Sequence, residues 1–152
     1  MKISIGCDHG GFQLKEAIKK HLSEKNIEVV DVGAYCSAER VDYPVYAAQV
    51  GERVVSGESD LGILCCGTGI GMSIAANKIE GIRAALVSDC FSAAKTREHN
   101  NTNIICLGER VIGEGLALQI VDTWMNASFE GGRHQERLDQ IAQLEKRESL
   151  IK

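Results

Sequence analysis

Short apolar runs rich in β-branched residues alternate with stretches of helical period along nearly the whole chain, and that alternation leaves few folds open. The strand-like runs are residues 3–7, 27–32, 61–66, 82–87 and 104–107. Residues 12–25 carry Leu14, Ala17, Ile18 and Leu22 at helical spacing with lysines between them. Residues 45–56 follow Pro44, the only proline, which suits a first helical turn where its missing amide hydrogen costs little. Further helices are expected over 70–77, 89–98 and 116–125, the last with Leu116, Ile120, Val121 and Trp124 on one face. Parallel strands need long crossovers, and helices supply them here. The expectation is a three-layer α/β/α, Rossmann-like sandwich around a five-stranded parallel sheet. Residues 133–146 add a C-terminal helix with an apolar stripe of Leu138, Ile141 and Ala142.

A length of 152 residues is close to the ~150 of one domain, so a single domain over 1–152 is expected. With 44% hydrophobic and 25% charged residues the composition is that of an ordinary globular chain, which excludes disorder. Seventeen Lys and Arg against 21 Asp and Glu leave a net charge of -4, so there is no basic footprint for nucleic acid. No apolar stretch approaches the ~20 residues of a membrane span, and residues 1–12, with Asp8 and His9, do not read as a signal peptide. The six cysteines show neither C-x-x-C pairs nor zinc-type spacing, so no metal is expected and the thiols point to a reducing cytoplasm.

Ligands of open parallel sheets bind beyond the carboxyl ends of the strands, and the connections here are loaded with polar groups. The first strand ends at Cys7-Asp8-His9-Gly10-Gly11 and the third at Cys66-Gly67-Thr68-Gly69-Ile70-Gly71, while the helix after the fourth leads into His99-Asn100. The glycine loop opens a helix, so its amides can converge on an anion or oxyanion. It is neither a dinucleotide fingerprint, since Met72 stands where a glycine would be needed, nor a P-loop, since it lacks the lysine. Cys66 lies beside those amides, where a thiol gains thiolate character and can act as base or nucleophile. Cys7, Cys36, Cys65, Cys90 and Cys106 read as buried structural thiols, Cys65 pointing to the sheet face opposite Cys66. Asp8 and His9 could hold sugar hydroxyls and a phosphate, although a helix-capping role for Asp8 is nearly as good a reading. Arg133 and Arg137, at i and i+4, put two guanidiniums on one helix face, which suits a phosphate or merely a solvated face. Arg110 follows the fifth strand as a third basic candidate.

Taken in order, Gly6-Cys7-Asp8-His9, Asp42-Tyr43-Pro44, the Cys66 to Gly71 loop, Asn77-Lys78, His99-Asn100 and Gly131-Gly132-Arg133-His134-Gln135-Glu136-Arg137 closely resemble the ribose-5-phosphate isomerase B family over nearly the whole chain. The resemblance implies cofactor-free interconversion of ribose 5-phosphate and ribulose 5-phosphate through an enediol(ate). It assigns the proton transfer to Cys66, oxygen-to-oxygen proton movement to Thr68, and enediolate stabilisation to the amides of Gly67, Thr68, Gly69, Ile70 and Gly71. It also implies ring opening by His99 aided by Asp8, hydroxyl contacts from Tyr43 and Asn100, and a phosphate grip of His9, Arg133 and Arg137, with Arg110 as a further member. A homodimer, or a tetramer of two dimers, with sites shared between subunits is implied too. Met72 stands where the glutamate-base branch has its base, so the cysteine branch is favoured. Three alternatives stand beside this reading: an allose- or galactose-6-phosphate isomerase, a Cys66–His99 hydrolase or transferase, and a non-catalytic phosphate- or nucleotide-binding module.

Overall fold

The computed structural model describes residues 1–147, so residues 148–152 of the expected single domain lie outside the described part. All five strands form: β1 (Lys2–Cys7), β2 (Glu28–Asp31), β3 (Leu61–Cys66), β4 (Ala84–Leu86) and β5 (Ile104–Gly108). The helices are α1 (Phe12–Glu24), α2 (Tyr43–Val55), α3 (Ile70–Ala76), α4 (Cys90–Asn100), α5 (Glu114–Asn126) and α6 (Arg133–Glu145). Two boundaries depart from expectation. Helix α2 begins at Tyr43, because Asp42 takes the cap position and Pro44 is accommodated in the first turn. Strand β4 is shorter than 82–87, because Ile82 is still held in a turn by the Ile79 carbonyl, and the Asn77 side chain takes both backbone groups of Ala84.

Every pairing in the sheet is parallel, in the order β2-β1-β3-β5-β4. The chain winds outward from β1 to β2 and then crosses back to β3 on the other side of β1. The winding therefore reverses between β1 and β3, and their carboxyl ends part to leave a crevice. One face of the sheet, with Ile3, Ile5, Ile63 and Cys65, packs on Ile18 and Leu22 of α1 and on Ile120, Val121 and Trp124 of α5. The other, with Leu64, Cys66, Ile104 and Cys106, packs on Ala47 and Val50 of α2 and on Met72 and Ala76 of α3. Cys65 and Cys66 accordingly belong to opposite layers, as strand alternation requires.

The lysines of α1 lie between its apolar positions, and Lys15 does not face solvent. It is fully buried, with Nζ 2.8 Å from both Asp31 carboxylate oxygens and 2.8 Å from the Ala34 carbonyl. Its ammonium also lies 5.4 Å and 5.3 Å from the ring centroids of Phe12 and Tyr35, within cation–π range. Burial would raise the Asp31 carboxyl, but hydrogen bonds from Lys15, Lys19 and the Gly33 amide outweigh it and hold it below its ordinary 3.8. An acid whose folded value is depressed stabilises the fold above its ordinary value and loses that contribution as pH falls through the depressed one. Asp31→Asn leaves the Lys15 charge buried without its counter-ion and is expected to cost about 3 kcal/mol or more in denaturant unfolding at pH 7. The gap to wild type should narrow as the pH falls below the ordinary carboxylate value; a gap that stays constant down to acid unfolding would disprove the pairing argument.

Candidate active site

Three strand ends meet at the crevice through bare backbone. A Cβ at Gly11 would stand 2.4 Å from the Cys65 carbonyl carbon, and one at Gly108 2.7 Å from that of Thr68. Glycine is what lets the turn after β1 and the end of β5 close onto the loop after β3. The Asp8 amide donates to the Cys65 carbonyl, and the Arg110 amide to that of Gly67, which ties the three ends together.

Cys66 ends β3 with its Sγ accepting the Gly69 amide at 3.0 Å. Gly69 holds a left-handed φ of 78°, which turns that amide toward the sulfur. The Ile70 amide goes to Thr68 Oγ1 at 3.3 Å. Two of the five expected oxyanion amides are thus already engaged, whereas those of Gly67 and Thr68 carry no hydrogen bond among the described residues. Gly71 lies directly under the Tyr43 ring, and the Arg110 side chain runs over Gly67. Asp8 is nearly buried and its Oδ1 accepts the Gly10 amide at 2.8 Å, so it caps the 3₁₀ turn His9–Gly11 at the crevice wall. His9 Nδ1 accepts the Val41 amide at 3.4 Å, which leaves Nε2 to carry the proton of the neutral ring.

The remaining thiols divide differently from the sequence reading. Burial pushes the Cys7 thiol up to about 12 and raises Cys65 and Cys106 as well, which makes them inert at neutral pH. Cys36, however, is exposed in the connection after β2, and Cys90, the first residue of α4, is only half-buried. Neither is on a strand: Cys36 stays outside the core, and Cys90 packs against its edge, partly buried.

His99 and Asn100 do not belong with these loops. Helix α4 starts after the carboxyl end of β4 and runs back toward the amino edge, a length of about 16 Å at 1.5 Å per residue. Its end is fixed there: Arg97 bonds Asn101 and Thr102, and Arg83 bonds Asn101 and Asn103, just before β4 and β5 begin. The His99 ring stacks on His134 of α6, centroids 4.2 Å apart and planes within 6°. Arg133 and Arg137 are exposed beside it and make no ion pair among the described residues. Within one chain, therefore, Asp8, His9, Tyr43, Cys66, Thr68, the glycine loop and Arg110 gather at one edge of the sheet, and His99, Asn100, Arg133 and Arg137 gather elsewhere. Grouping His99-Asn100 with the carboxyl-edge loops is corrected by the antiparallel course of α4. Sequence reasoning gave no role to Glu130 and His134, whose i, i+4 spacing spans the start of α6; their meeting with His99 is tertiary and leaves no local signal.

A family model described as Ribose/Galactose Isomerase matches residues 3–141. The chain belongs to that family. Within the ribose/galactose isomerases, ribose-5-phosphate isomerase B of Escherichia coli is 54% identical over 146 residues, spanning 96% of this chain and 97% of its own. The structure of ribose-5-phosphate isomerase B from Clostridium thermocellum superposes with a TM-score of 0.95 at 53% identity, covering 97% of this chain and 99% of that one. The Mycoplasma genitalium isomerase B with bound ribulose-5-phosphate superposes at 0.91 with 44% identity, covering 95% and 96%.

The Gly69 amide offers a direct check. A methyl at Gly69 would stand 2.5 Å from Leu86 Cδ1 on a backbone already at positive φ. Gly69→Ala is expected to move that amide off the sulfur and cut kcat by about a hundredfold, with KM little changed. Unchanged kcat in a folded variant, verified by circular dichroism, would show that the contact is dispensable.

Proposed function

We propose that the chain interconverts ribose 5-phosphate and ribulose 5-phosphate in the cytoplasm, as one domain and without metal or organic cofactor. The observation that carries this reading is the Cys66 sulfur at the crevice floor, accepting the Gly69 amide beside the unengaged amides of Gly67 and Thr68. Cys66 takes the proton from C2 of the open-chain aldose and returns it to C1. The enediolate oxygen formed between these steps is met by the loop amides. Thr68, whose Oγ1 already accepts a hydrogen bond from Ile70, keeps its own hydroxyl proton free to pass between the sugar oxygens. His9 presents Nε2–H to the phosphate, joined by Arg110, Arg133 and Arg137, while Tyr43 and Asn100 hold hydroxyls.

His99, aided by Asp8, opens the furanose ring, and the course of α4, which carries His99 away from the Cys66 edge of its own chain, supports a site completed by a second subunit. The smallest assembly that completes a site is a homodimer, in which one protomer lends His99, Asn100, Arg133 and Arg137 to its partner's crevice; a tetramer of two dimers keeps the same sites. Apolar side chains left exposed around the crevice support this. Ile70, Ile74, Leu86, Phe91 and Val111 are all open to solvent in the single chain. Ile70, Leu86 and Val111 also rim a cavity of about 190 Å³ beside Thr68.

The proposal is open to direct test. Ribose 5-phosphate turnover should persist with a chelator present and fall by about a thousandfold or more in Cys66→Ala. Arg137→Ala should instead raise KM. A higher kcat/KM for allose 6-phosphate, assayed in parallel, would keep the chemistry and replace the substrate. Mixing inactive Cys66→Ala and His99→Asn protomers under exchange conditions should restore roughly a quarter of wild-type activity, since half the dimers are then mixed and each has one intact site. No recovery after verified subunit exchange would rule out the shared site.

A further inference from the structure

His99, Glu130 and His134 form a cluster in which one donor atom from each lies within 4.8 Å of the others. Glu130 Oε2 is 3.4 Å from His134 Nε2 and 3.8 Å from His99 Nε2. Both separations exceed the 2.7–2.9 Å of a charge-assisted hydrogen bond. They sit close to the roughly 3.3 Å edge of a tetrahedron whose metal–ligand bonds are about 2.0–2.1 Å. The Glu130 amide donates to the Glu98 carbonyl at 2.9 Å, which pins the carboxylate's backbone to the end of α4. His134 is buried and its ring is fixed, and a tilt of His99 out of the stack lets both nitrogens aim at one point.

The geometry points to a binding site for a divalent transition metal of the zinc type, with His99, His134 and Glu130 as three ligands and water as the fourth. Two imidazoles and one carboxylate form a recognised zinc donor set, and imidazole selects such ions over magnesium or calcium. The charges nearby sharpen the choice. Arg133 precedes His134 and Arg137 follows it within one turn of α6, so an ion held by charge alone is disfavoured against one that bonds to nitrogen. Lys95 is occupied by Glu98. Bound metal takes the Nε2 lone pair of His99. The site is therefore inhibitory, resting on the ring-opening role proposed for His99, and it should slow a cyclic substrate more than an open-chain one.

Cobalt(II) added to the intact protein reads the site without relying on activity, because sulfur ligation from any of the six cysteines betrays itself by a strong near-ultraviolet charge-transfer band. The expected result is one Co²⁺ per chain, with visible bands of nitrogen and oxygen ligation and no sulfur band. Glu130→Gln and His134→Asn should each weaken binding at least about tenfold. Glu130 is half-exposed, so Glu130→Gln carries the test even where His134→Asn fails to fold. Absence of binding, a sulfur band, or affinity unchanged in Glu130→Gln would overturn the site. Zn²⁺ should then inhibit furanose turnover, with relief by chelator or by Glu130→Gln. Nitrogen-ligated cobalt without that inhibition would uphold the metal site and overturn the ring-opening role of His99.

Discussion

Backbone packed on backbone, with no side chain between, is the contact on which the site depends. Gly11 lies on the Cys65–Cys66 peptide and Gly108 on Thr68, each too close for a Cβ. The ends of β1, β3 and β5 can therefore converge more tightly than side-chain-bearing strands allow. Asp8, Cys66 and Arg110 consequently open onto one crevice. The strand order contributes the other half, because only the reversal between β1 and β3 gives the crevice a place to open.

Much of this was legible in the sequence, for reasons that can be named. Strand and helix periods differ, so all five strands and six helices could be placed, and strand alternation alone put Cys65 and Cys66 in opposite layers. Pro44 and the glycine loop marked helix starts because their backbone requirements are local. What escaped depended on partners far along the chain. Lys15 is spaced like the other lysines of α1 and differs from them in being fully buried and in reaching the Ala34 carbonyl as well as Asp31, which Lys19 also meets. Strand order leaves no periodic trace. Without it, nothing in Glu98-His99-Asn100 tells which edge of the sheet the helix reaches.

The buried Lys15 network shows how far from the crevice its support begins. Lys15 holds the Ala34 carbonyl, to which the Cys7 thiol also donates, at the head of the connection that reaches Val41, and the Val41 amide then orients His9. A charge in the α1 layer is thus joined through one loop to the His9 imidazole at the crevice. Acid that neutralises Asp31 loosens this chain of contacts at its root.

The antiparallel course of α4 also bears on how such a chain can diverge. Under the proposed shared site, the Cys66 sulfur and the His99 imidazole are inherited on one polypeptide but used in different cavities. Duplication of the gene releases each copy from half of its duties: one can lose the sulfur and the other the imidazole while a mixed pair still holds one whole site. A homomeric enzyme built this way stands one duplication from an obligate heteromer.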